Sequence, residues 1–348
     1  MALISFTDKG LYCAEGNFYI DPWHPVEKAV ISHGHSDHAR FGHKSYLSHH
    51  LTIPIMQHRL GDNHYESVDW NEPVFINGVK VSLHPAGHII GSAQIRVEKN
   101  GEIWVFTGDY KLENDGISGA FEPIKCHTFI TESTFGLPIY TWKPQKVIYK
   151  QMQDWVLQNQ SEGKNSVFIA YSLGKAQRVM DAVKEVANKV YVHGAIYNMQ
   201  QVLDQMGYHF MEVIRITPET SKNDLKNAII IAPPSADGTP WMKKLQPYRV
   251  GICSGWMQVR GNQRRRNADM GFALSDHCDW HSLLKAVKET EASKVFVTHG
   301  FQSAFSKYLN EIGIEADEER TQYGNDEDEG ERNVPEEEVV LKDTTELE

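Results

Sequence analysis

The sequence predicts an α/β protein made of two units, one inserted into the other, and three observations carry that expectation. Up to about residue 110, short runs rich in β-branched and aromatic residues alternate with turns: NFYI, KAVISH, SYLSH, PVFI, VKVSLH and AQIRVEKNGEIWVFTGD. From about residue 143, helix-length amphipathic segments (KVIYKQMQDWVLQNQ, LGKAQRVMDAVKEVANKV, YNMQQVLDQMG) alternate with short apolar strands (SVFIAYS, KVYVHG, AIIIAPP, YRVGICSG), the layout of a parallel α/β unit. Near residue 270 the text returns to a strand, a loop, the helix HSLLKAVKET and the strand KVFVTHG, so the second unit reads as inserted. The expected divisions are 1–142 and 269–314 for the outer unit, 143–268 for the insert and 315–348 for a tail.

Taken in order, the first unit contains Asn100-Gly101 between two alternating runs, the signature of a tight hairpin. A chain of 348 residues with 41% hydrophobic residues can bury a large core. The N-terminus MALISFTDKG lacks a basic segment followed by a long apolar run, and the apolar run at 228–234 is too short to span a bilayer, so a cytoplasmic protein with no membrane partner is expected. Cys13, Cys126, Cys253 and Cys278 stand far apart without a CxxC pair, which argues against a disulfide framework and against a thiolate zinc site. The net charge of -11 is unevenly spread: residues 315–348 carry 15 acidic and 3 basic side chains, leaving 32 basic against 31 acidic in the rest. The body is therefore close to neutral, and the acidic tail is expected to be disordered.

The stretch ISHGHSDHAR puts His33, His35, Asp37 and His38 within six positions after an apolar strand. Four such side chains cannot be buried without partners, because each would carry a desolvation cost. In an extended segment His33 and His35 point to the same side, and the loop can face two metal ions, one for each pair of ligands. Imidazoles with carboxylates suit zinc, with manganese the main competitor. His88, held in the turn HPAGHIIG, is the expected third nitrogen ligand, and Asp109, closing WVFTGDY after Gly108, is a carboxylate able to bridge two ions.

His33-Gly34-His35-Ser36-Asp37-His38 meets the HxHxDH signature, and the chain resembles the metallo-β-lactamase superfamily. Asp21 matches that family's upstream aspartate, which supports the ligand loop. Glu132 in FITESTFG, His277 in FALSDHCDW and His299 in VFVTHG, together with YSLGKAQRVM, resemble the marks of the nucleic-acid-cleaving β-CASP branch. This likeness covers about residues 10–310 and implies a metallo-β-lactamase αββα sandwich with an inserted β-CASP α/β domain. GNFYIDPWHPVEKAVISHGHSDHAR is closer still to bacterial DNA exonucleases encoded beside an ATP-dependent DNA ligase and a helicase. One departure is His299: Artemis-like DNA nucleases usually carry valine there, whereas RNase J and the polyadenylation endonuclease carry histidine.

The resemblance implies two divalent ions, one on His33, His35 and His88, the other on Asp37, His38 and His299, with Asp109 bridging. It also implies a two-metal DNA exonuclease acting in repair, with a hydroxide shared by the ions as nucleophile and His277, oriented by Glu132, as general acid. Arg260, Arg264, Arg265 and Arg266, together with Ser172 and Lys175 at a strand-to-helix turn, are candidates for phosphate contacts. Trp142, Trp241 and Trp256 are candidates for base stacking. Two alternatives stand beside the exonuclease: a ribonuclease like RNase J or the polyadenylation endonuclease, and a non-catalytic nucleic-acid-binding scaffold. The scaffold would be expected to have lost ligands, and none is lost.

Overall fold

A computed structural model describes residues 2–259, 261 and 268–323. The outer unit begins with a six-stranded sheet in sequential order: β1 (Ser5–Phe6), β2 (Leu11–Cys13), β3 (Phe18–Ile20), β4 (Lys28–Val30), β5 (Ser45–His49) and β6 (Tyr65–Val68). Helix α1 (Ile53–Leu60) lies between the last two in sequence, and its Met56 and Leu60 pack with Ala29, Ile31 and Tyr46. A second sheet follows with β7 (Val74–Ile76), β8 (Val79–Pro85), β9 (Ala93–Lys99), β10 (Glu102–Phe106) and β11 (Thr128–Ser133). The expected hairpin joins β9 to β10, with Asn100 at φ 51° and Gly101 at φ 86°, as a two-residue turn with both centres left-handed requires.

After β11 the chain leaves this sheet and builds a third, all-parallel one. It contains α2 (Gln145–Ser161), β12 (Asn165–Ile169), α3 (Lys175–Val183), β13 (Lys189–Val192), α4 (Gly194–Gln205), β14 (Glu212–Arg215), β15 (Ile229–Ala232), β16 (Tyr248–Cys253) and β17 (Met270–Phe272). The strand order is β14-β13-β15-β12-β16-β17. Helix α2 buries Ile148, Met152, Trp155 and Val156, the one-sided stripe that its sequence spacing dictates. Phe168 packs in a triangle with Trp155 and Phe272, with ring centroids 5.2 and 5.7 Å away, so Phe168→Ala would cost about 3–5 kcal/mol.

The chain then returns through α5 (Trp280–Glu289), β18 (Lys294–Gly300), α6 (Gln302–Glu311) and β19 (Glu315–Glu318). The second sheet is completed in the order β19-β18-β11-β10-β9-β8-β7. Val30 and Leu47 of the first sheet share one core with Val81, Ile95 and Phe106 of the second, so the two sheets pack face to face. The other face of the second sheet carries α5 and α6 through Leu283, Phe305 and Leu309. Ile55, Ile89, Leu173, Met199 and Leu203 seal the inserted unit against the outer one.

Two expected boundaries move. The third sheet continues past residue 268, because β17 pairs with β16. Residues 315–318, expected in the tail, form β19, which adds parallel to β18; burial of Ala316 in the core stabilises a segment whose charge alone suggested a tail. Residues 324–348 lie outside the described residues. All four cysteines are buried and free. Among the described residues no helix is long and apolar enough to cross a membrane.

Candidate metal centre and active site

Strand ends deliver the site. His33, His35, Asp37 and His38 occupy the loop after β4, tightened by Ala39 N–H donating to the His35 carbonyl at 2.9 Å. His88 sits in the turn between β8 and β9, where Ser92 Oγ accepts from its N–H at 3.0 Å. Asp109 follows β10; Gly108 has φ 56° and lies so close to Ser32 that a Cβ would meet Ser32 Oγ at 2.7 Å. A side chain there would push Asp109 off the loop.

Donor atoms of His33, His35, His88 and Asp109 all lie within 4.8 Å of one another. His88 Nε2 is 3.1 Å from His35 Nδ1, and His33 Nε2 is 3.5 Å from Asp109 Oδ2. On the other side, His38 Nε2 is 3.5 Å from both Asp37 Oδ2 and Asp109 Oδ2. Two donors on one tetrahedral ion at about 2.0–2.1 Å would stand about 3.4 Å apart. The spacings therefore fit a divalent ion held among these atoms, and Asp109 Oδ2 lies near the histidines on both sides. His33 Nε2, His38 Nε2 and Asp37 Oδ1 are buried without a hydrogen-bond partner, which is costly unless a cation takes them up. His299, at the end of β18, is buried with φ 51°, an uncommon conformation for histidine. It does not join the close groupings.

The far ring nitrogens are held. His38 Nδ1 donates to Asp21 Oδ2 at 2.7 Å, and His33 Nδ1 lies 2.9 Å from Ser32 Oγ, itself hydrogen-bonded to Asp21. His88 Nδ1 donates to the Asp276 carbonyl at 2.9 Å. Each contact turns Nε2 toward the cluster. Asp21 itself has φ 40°, a further left-handed position at the site.

Charge follows the same design. Burial drives His33 well below its usual range and takes His88 down to about 3, so both are neutral, the form a metal requires. Burial opposes charge on His38 and Asp109 too, yet Asp37 and Asp109 hold His38 well above the usual range, and His38 holds Asp109 well below it. The pocket favours positive charge between these carboxylates.

Beside the cluster stands His277, in the loop between β17 and α5. Its Nδ1 is 2.9 Å from Glu132 Oε1, and its ring centroid is 4.7 Å from that of His88. Glu132 on β11 also accepts from the N–H groups of Tyr110 and Thr134 at 3.2 and 3.0 Å. The arrangement can transfer a proton next to a cation-binding pocket.

The remaining predicted residues divide. Lys175, expected to meet a phosphate, is instead buried and pairs with Asp276 Oδ1 at 3.0 Å; a phosphate there would have to displace that carboxylate. Ser172 uses its carbonyl to accept from Gln177 at 3.2 Å. Arg260, Arg264, Arg265 and Arg266 lie outside the described residues. Trp142 Nε1 donates to the His277 carbonyl at 3.0 Å, and Trp241 packs 5.1 Å from His193.

Four features were not anticipated. Ser32 links Asp21 to His33, a role its place in ISHGH could have suggested. Arg178 of α3 is fully buried, with Nε and Nη2 2.9 and 2.6 Å from Asp115 Oδ2 and Nη1 2.5 Å from the Ser275 carbonyl. Lys111 Nζ donates to the same carbonyl at 2.8 Å. Tyr323 stacks on His38 at 4.3 Å. The last three are long-range partners without a local signal.

Fold and site together define an α/β protein with a buried histidine-aspartate centre fit for divalent metal ions and a histidine-glutamate pair beside it. No family model matches the chain. It is 29% identical over 315 residues to a protein of Opitutus terrae named "Probable DNA ligase", covering 88% of this chain and 30% of that protein. It is 32% identical over 117 residues to Endoribonuclease YSH1 of Saccharomyces cerevisiae, covering 33% of this chain and 15% of that protein. It is 30% identical over 136 residues to cleavage and polyadenylation specificity factor subunit 3 of Dictyostelium discoideum, covering 38% of this chain and 17% of that protein. The chain thus spans less than a third of the length of these relatives. A crystal structure of a protein of unknown function from Enterococcus faecalis V583 matches with a TM-score of 0.56 at 13% identity, over 86% of this chain and 79% of that one, a likeness of fold.

Proposed function

We propose that the chain is a nuclease of the β-CASP branch of the metallo-β-lactamase superfamily, a two-metal phosphodiesterase that shortens DNA from an end during repair. The observation that carries this reading is the Glu132–His277 pair set against the cluster of His33, His35, His88 and Asp109. His33, His35 and His88 would hold one divalent ion and Asp37, His38 and His299 the other, with Asp109 between them; zinc suits this donor set, and manganese competes. When bound, such ions supply Lewis acidity toward a phosphodiester oxygen and toward the attacking water. The rest falls to the chain's own groups. Glu132 takes the Nδ1 side of His277, leaving Nε2 to deliver a proton to the departing O3′ oxygen. Asp21 and Ser32 keep His38 and His33 turned inward.

DNA as substrate is supported by the likeness, across 88% of this chain, to a protein named as a DNA ligase. An ATP-dependent ligase and a helicase are the proposed partners. A ribonuclease is the second reading, favoured by His299 and by the likeness to named endoribonucleases. Contacts at the 2′ position must separate the two. End-labelled linear DNA, circular DNA and RNA of matched sequence test the choice. Progressive shortening of linear DNA with survival of the circle is expected. Circular DNA cut as fast as linear, or RNA consumed much faster than DNA, would replace the exonuclease with the ribonuclease reading.

A further inference from the structure

We propose that Tyr323 is a positioning residue of the metal centre, its ring holding the His38 imidazole in the plane from which Nε2 meets Asp37 and Asp109. The inference rests on reading the site as a metal centre. The rings of Tyr323 and His38 are stacked, 4.3 Å apart and 12° from parallel. Trp23 packs edge-on against Tyr323 at 5.6 Å, Phe106 lies at 6.3 Å, and the His299 ring at 6.5 Å. Tyr323 therefore touches one proposed ligand of the second ion and approaches another.

The segment that brings Tyr323 there is tied at both ends. Glu319 N–H donates to the Val297 carbonyl at 3.0 Å, extending the β18–β19 ladder, and Gln302 Nε2 donates to the Glu319 carbonyl at 2.8 Å. Beyond it, Arg40 donates to the Gln322 carbonyl while its Nε donates to the Asp37 carbonyl at 3.0 Å. Arg40 thus fastens this segment to the ligand loop itself. Tyr323 is 9% exposed, and its buried hydroxyl has no hydrogen-bond partner. The ring alone makes the stack on His38, and phenylalanine would keep it. His38 has its Nδ1 fixed by Asp21, but one hydrogen bond leaves the ring free to tilt about it. The stack removes that freedom.

The test measures metal binding by chelator competition and elemental analysis in the full chain and in Tyr323→Phe, Tyr323→Leu and Tyr323→Ala, with melting of the metal-stripped proteins alongside. Phe should hold both ions as the wild type does. Leu and Ala should bind one ion normally and the other roughly 10-fold or more weakly, the scale for loss of a group that orients a ligand. If Ala unfolds, Leu, which keeps the apolar bulk, decides. Wild-type affinity for both ions in Leu, or a loss in Phe as large as in Leu, would overturn the proposal. A wild-type chain that binds no second ion would instead sink the underlying reading of the site.

Discussion

Glu132 and His277 are 145 residues apart in sequence and 2.9 Å apart in space, both nearly fully buried, with the inserted unit between them in the chain. The pairing fixes which imidazole nitrogen faces the cluster. His277→Ala should keep its metal content and lose about 10²-fold or more in rate, the scale for a general acid. On a nitrophenyl phosphodiester, whose leaving group needs no proton, the loss should shrink. Equal losses on both substrates would remove His277 from the acid role.

Glu132 accepts from Tyr110 and Thr134 as well as from His277. In Glu132→Gln the amide NH₂ must face one of these donors, so unfolding free energy should fall by about 1–3 kcal/mol. If Glu132 acts through His277, the double variant should be hardly slower than His277→Ala. Multiplied rate losses would give the two residues independent roles.

Asp21→Ala and Ser32→Ala should each weaken metal binding by roughly 10- to 100-fold in a chelator competition, because each removes a partner of a ligand's far nitrogen. Unchanged affinity in both would mean that the backbone alone orients His33 and His38.

Arg178 and Asp115 form a buried pair between the two units. Arg178→Met should cost about 3–5 kcal/mol by chemical denaturation, since Asp115 is left charged and unpaired; the double variant with Asp115→Asn should recover part of it. Burial works against the charge of Asp115, but Arg178 and the Ser118 and Ile117 N–H groups hold its folded pKa below the usual value. Such a group adds stability above its unfolded pKa of about 3.9 and loses it as pH falls through the folded value. The gap between wild type and Arg178→Met should therefore narrow in acid. A gap independent of pH would assign the loss to packing.

The legible parts of this chain are those with a local signal. HxHxDH, the strand ends at Asp109 and His299, the Asn-Gly hairpin and the amphipathic stripe of α2 all announce themselves within a few residues. Helix α3 was expected to run to about residue 190 but stops at Val183; Val186 and Ala187 close a turn back onto Val183 instead. Strand β19 was hidden by its acidic residues, since only Ala316 among them enters the core. Lys175 looked like a phosphate ligand because its partner, Asp276, lies 101 positions away in the chain. Tyr323 was out of reach for the same reason: nothing in its neighbourhood points to His38.

Elemental analysis of active wild type beside Asp109→Ala bears most directly on the two-metal claim, because Asp109 Oδ2 lies within 3.8 Å of His33, His38 and His88 Nε2 alike. The account predicts about two divalent ions per active chain, and the loss of both ions together with activity in Asp109→Ala, since one carboxylate serves both. One ion or none in fully active wild type, or an active Asp109→Ala that keeps its metals, would contradict it.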